Sequence, residues 1–82
     1  MQMFRPPPPP VACFPNRAWQ AQLFGSNAAQ RGGVIRRAVR DVEREIGRVA
    51  LEAEVRARGY HMIECGGQFI IICNPGLLRV VC

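Results

Sequence analysis

The sequence predicts an α+β domain: one or two helices followed by a three-stranded antiparallel meander, in the order α-β-β-β. Three observations carry that reading. Apolar side chains at Ile35, Val39, Val42, Ile46, Val49 and Ala53 alternate between spacings of four and three, the period of one helical face. After Gly59 the pattern changes to three β-rich runs, residues 60–65, 68–73 and 77–82. Between these runs stand Gly66-Gly67 and Asn74-Pro75-Gly76, both strong turn formers.

Taken in order, residues 1–15 (MQMFRPPPPPVACFP) hold six of the seven prolines. Proline fixes φ and lacks an amide donor, so this segment reads as an extended arm of the polyproline type. Its run at 6–10 satisfies PxxP, so it serves either as a spacer or as a ligand for an aromatic-lined groove. Residues 16–24 follow, with Asn16 suited to cap a helix and Trp19 and Leu23 four apart on one stripe. Two turns are not stable alone, so Trp19, Leu23 and Phe24 must anchor this helix against the main domain or against a partner. Residues 25–33 (GSNAAQRGG) read as a small-residue hinge, leaving 34–82 as the helix-then-sheet domain.

Within that domain Gly47 interrupts the helical pattern, and a second stripe, Leu51 and Val55, begins after it. A glycine inside a helix costs about 1 kcal/mol relative to alanine, which favours two helices, about 36–46 and about 48–58, meeting in a bend. The charges on these helices suggest pairs of Asp41 with Arg44 and of Glu45 with Arg48 on a solvated outer face. In the middle β-rich run Phe69, Ile71 and Cys73 point to one side and Ile70 and Ile72 to the other. Both sides are apolar, whereas a sheet with one wet face alternates apolar with polar. One side should take the helix through Leu51 and Val55. The other, with Ile63, Ile70, Ile72 and Val81, should be covered by the short helix at 16–24 in cis, or by a second copy or another partner in trans.

Eleven arginines, no lysine and six acids give a net charge of +5. Such an arginine-rich chain favours anionic partners, because the guanidinium fork binds phosphate and carboxylate bidentately; a GC-rich genome that writes arginine for any solvated cation would give the same count. The four cysteines at 13, 65, 73 and 82 lack the spacings of zinc or haem sites, so they read as reduced apolar fillers of a cytoplasmic, bacterial-looking protein. No cofactor or metal site is signalled. A proline run where an export signal would need an apolar stretch argues against secretion, and no apolar run is long enough to span a membrane. With one histidine, one serine and no lysine, general-base and nucleophile pairs are scarce. His61 and Glu64, three apart on one strand, point to opposite faces. Gly66-Gly67-Gln68 is explained by a hairpin turn without a phosphate loop. No catalytic residue is assigned.

The segments RGGVIRR (31–37), RDVERE (40–45), EVRARGYH (54–61) and GGQFIIICN (66–74) resemble a group of short alphaproteobacterial proteins, some of which carry the label phosphoribosylanthranilate isomerase. The resemblance covers about residues 17–82. A (β/α)8 barrel of the kind that label implies takes 200 or more residues, more than this chain offers. The order Leu51, Val55, Gly59-Tyr60, Gly66 is also similar to HicA-type toxins, whose α-β-β-β core cuts or binds RNA. That family's catalytic histidine follows Gly-Ser in the hairpin, and Gly67-Gln68-Phe69 stands at the matching place here. The likeness therefore implies RNA binding without the nuclease.

Two functions remain. One is a basic nucleic-acid-binding module, RNA first, in which Arg31, Arg36, Arg37, Arg40, Arg44 and Arg48 neutralise phosphates. The other is a protein-interaction or accessory subunit docking through Trp19, Leu23, Phe24, Ile63, Ile70 and Ile72 onto a larger assembly or a second copy.

Overall fold

The computed structural model describes residues 15–82, so the reading of the proline run lies outside the described residues. Asn16 caps the first helix, α1 (Arg17–Phe24), its side chain accepting the Trp19 N–H at 3.1 Å. The same residue fastens α1 to the rest of the fold, since its backbone N–H donates to Glu45 O at 2.8 Å and its side-chain amide to the Glu45 carboxylate at 2.9 Å. The segment expected as a hinge instead carries a helical turn, α2 (Asn27–Gln30), capped by Ser26 and with Ala29 buried.

From there the chain enters the first strand, β1 (Val34–Ala38), and passes directly into α3 (Val39–Glu45). A bend at Ile46-Gly47 leads to α4 (Arg48–Ala57), and a hairpin of β2 (His61–Cys65) and β3 (Gln68–Ile72) follows. The fold is α+β with a three-stranded antiparallel sheet, as expected. Two of its strands are those read from the sequence, joined by Gly66 and Gly67, both at positive φ as a two-residue hairpin turn requires.

The third strand is not the expected one. Residues 34–38, of which 36–38 were expected to begin a helix, pair with β3 from Val34 opposite Ile72 to Ala38 opposite Gln68, so the sheet order is β1-β3-β2 and not a meander. Ile35 satisfied the helical spacing to Val39 by coincidence of period. What decides its conformation is a vacant edge on β3 and β-branched Val34 and Ile35 to fill it. With β1 on one edge of β3 and β2 on the other, residues 77–82 have no place beside β3, and they form no strand.

The bend at Gly47 is as anticipated: its φ is +86°, in the left-handed region. Its consequence was missed. The kink rotates the apolar stripe, so Val42 and Ile46 before it and Leu51 and Val55 after it are buried, while Val49 and Ala53, which continue the uninterrupted spacing, face solvent. The break also removes the helical spacing of Glu45 and Arg48. Arg48 reaches instead to Glu64 on β2, while Asp41 pairs with Arg44 at 3.2 Å as expected.

All four helices bring side chains to one side of the sheet. Leu23, Phe24, Ala29, Val42, Ile46, Leu51 and Val55 close over Ile35, Phe69, Ile71 and Cys73 in a single core. The short helix therefore covers the same face as the long ones and leaves the opposite face bare, which rules out the cis covering considered above.

Candidate functional site

Strand alternation divides the sheet cleanly. Ile35 and Arg37, Phe69 and Ile71, and Met62 and Glu64 point toward the helices. Val34, Arg36 and Ala38, Gln68, Ile70 and Ile72, and His61, Ile63 and Cys65 share the open face. Register aligns them in rows: Val34, Ile72 and His61; Arg36, Ile70 and Ile63; Ala38, Gln68 and Cys65. Among the described residues no helix lies over this face. Ile63, Ile70 and Ile72 are thus where a docking surface would need them. His61 stands at its corner, Nε2 donating to Gly76 O at 2.6 Å, which fastens the turn after β3 to the start of β2.

Trp19, Leu23 and Phe24 are not part of any free surface. Leu23 and Phe24 are each only 2% exposed within the chain's own core, and half-buried Trp19 packs against it. Phe24 is also held from outside: the Arg58 guanidinium lies 4.5 Å from its ring centroid and donates to Glu54 at 2.6 Å, a bond that raises the Arg58 pKa. A two-turn helix whose apolar side chains complete the core has none left for a partner. This part of the expected interface is withdrawn.

The six arginines expected to bind phosphate separate into two sets. Arg44 is engaged by Asp41 and Glu45. Arg48 is engaged by Glu64 and sits 5.0 Å over the Phe69 ring, closing that end of the core. Arg31, Arg36, Arg37 and Arg40 make no ion pair among the described residues, and neither does Arg17. They follow one another along the α2–β1–α3 passage: Arg31 just past α2, Arg36 on the open face, Arg37 half-buried on the helix side, and Arg40 in the first turn of α3. The cause is legible in the chain. No acid occurs before Asp41, and all six acids fall between 41 and 64, where five of them meet Arg44, Arg48, Arg56 and Arg58. With Arg79 as the exception, the arginines that make no ion pair among the described residues therefore gather before Asp41, four of them along the α2–β1–α3 passage.

The cysteines divide as well. Cys73 is buried, and burial pushes its thiol pKa up; Cys65 and Cys82 are exposed free thiols and not the fillers expected. Among the described residues no three potential metal ligands cluster, and no helix is long and apolar enough to cross a membrane. A groove of about 440 Å³ between α1 and α4 is an open one in which Arg58 and Glu54 already satisfy each other. What the arrangement offers a partner is a basic strand edge beside an apolar sheet face. No family model, curated protein or solved structure matches the chain.

Val34 and Arg17 were not singled out from the sequence. Val34 could not be, because its face depends on the strand assignment. Arg17 could have been, from the acid-free stretch that precedes Asp41.

Proposed function

We propose that this chain is a small non-catalytic binding module that takes a polyanion, RNA first, along its β1 edge, within or onto a larger assembly. The observation that carries the reading is the segregation of charge: Arg31, Arg36, Arg37 and Arg40 lie on one continuous edge without acid partners. Arg44 and Arg48 are dropped from the contact set, because each would have to leave an existing carboxylate. The open face carries no Phe, Tyr or Trp on which bases could stack, so contacts to phosphate dominate and sequence preference is weak.

The test is a titration of RNA against salt. Four neutralised phosphates on a single strand give a slope of log K on log salt of about −3. Arg36→Gln and Arg40→Gln should each reduce the slope by about 1, while Arg44→Gln should leave it unchanged. Binding that ignores salt, or that is absent, ends this reading. A protein-docking reading is favoured by the bare isoleucine face. Capture of a protein partner that persists at high salt and is lost in Ile70→Asp would select it.

A further inference from the structure

Residues 77–82 (LLRVVC) have the composition of a strand, yet pair with no strand among the described residues. Leu77 is fully exposed, Val80 is 80% exposed and Val81 is 88% exposed. The bond from His61 to Gly76 sets the start of this segment beside the free edge of β2, whose outer backbone groups have no strand next to them. An unpaired strand former next to an unpaired edge, both present in every copy, is self-complementary across a two-fold axis.

We propose that residues 77–82 of one copy add as a fourth strand to the β2 edge of a second copy, and reciprocally, making a strand-exchanged homodimer. Side-chain alternation and charge select β2 over β1 as the acceptor, and the segment leaves its own copy's β2 unpaired although it starts beside that strand, which assigns it to the β2 of a second copy. On β2, Ile63 faces the open side while Met62 and Glu64 face the helix side. In residues 77–82, Leu78 and Val80 share one side while Leu77, Arg79 and Val81 share the other. The antiparallel register that sets Val80 opposite Ile63 places Leu78 opposite Cys65 on the same open side, and at the same time sets Arg79 opposite Glu64 and Val81 opposite Met62. The β1 edge would instead set Arg79 on the same face as Arg36 or Arg37, according to the register.

Stacking of the two open faces alone is insufficient. A sheet of three strands and five residues covers about 17 by about 14 Å, roughly 240 Å², against about 800 Å² per partner in a stable interface. The exchanged strand adds main-chain hydrogen bonds and four large apolar side chains, Leu77, Leu78, Val80 and Val81. This inference does not depend on RNA binding, which is read by salt and not by mass.

The experiment measures the mass of the full chain by light scattering, under reductant, across a range of concentrations. It is repeated for a chain lacking residues 77–82, for Val80→Asp, and for Val49→Asp, a valine on α4 that is 81% exposed and lies outside the exchanged segment and its acceptor strand. The full chain and Val49→Asp should have twice the chain mass. The shortened chain should be monomeric, and Val80→Asp should weaken dimerisation at least tenfold. Amide exchange on the intact chain gives a second readout that needs no variant: residues 77–82 and β2 should be protected where the chain is dimeric and lose protection together on dilution. A monomer at every concentration overturns the proposal. So does a dimer that survives loss of 77–82, or one that needs oxidation and is therefore a Cys82 disulfide.

Discussion

Phe69 and Ile71 on one side of β3 are sealed by four helices, while Ile70 and Ile72, one residue away in each case, face outward with no helix above them among the described residues. The two sides are chemically alike. What separates them is connectivity: α1 is tied to Glu45 and Glu54, and α3 and α4 leave and re-enter the sheet on one side, so every apolar helical stripe must close on that side. The sealed side is therefore where stability resides, and the open side and the β1 edge are where a partner can be met.

The sharpest way to break this comparison is to truncate adjacent residues of β3. Phe69→Ala should cost about 3–5 kcal/mol in denaturant unfolding, enough to unfold much of a small domain. Ile70→Ala should cost under about 1 kcal/mol in the monomer, as befits a partly exposed site. Equal losses would mean that the second face is also sealed within one chain.

Leu23→Ala asks the same of α1 and should cost about 2–5 kcal/mol. An α1 that served as an external anchor would lose its partner on this change and leave unfolding unaltered. Gly47→Ala tests the kink that turns α4 toward the sealed side. Nothing lies within 4 Å of an added Cβ, so the expected loss of about 1–2 kcal/mol is that of a left-handed backbone alone.

The smallest effect is a pH dependence on the sealed side. Burial raises the folded-state pKa of Cys73, with the Arg58 charge opposing, so the unfolded thiol ionises first, from about pH 8.5. The contribution is whole below that value and is lost as pH rises through the folded pKa. Melting temperatures of the protein and of Cys73→Val should diverge between about pH 7 and about pH 10, the protein falling further. Parallel curves would place Cys73 in contact with water.

Much of this was readable in advance, for local reasons. Asn16 as a cap, the break at Gly47 and the Gly66-Gly67 turn are consequences of single residues acting on adjacent backbone, and no distant contact overrides them. Leu51 and Val55 were legible as core because Gly47 breaks the earlier stripe and a new one restarts after it, whereas Val49 and Ala53, which continue the old spacing, are exposed. The acid-free stretch before Asp41 also stands in the chain itself, and with it the excess charge of the candidate site.

The tertiary structure alone decided three things. Residues 34–38 became a strand and 77–82 did not, since both are β-competent and only one could occupy the remaining edge of β3. The α1 side chains went into the core and not to a partner, through bonds from Asn16 and Gln20 to residues more than two dozen positions away. And one of two apolar sheet faces was left open. Sequence period fixes which residues share a face, but which face is covered depends on the side to which the connections return, a long-range choice that no local pattern encodes.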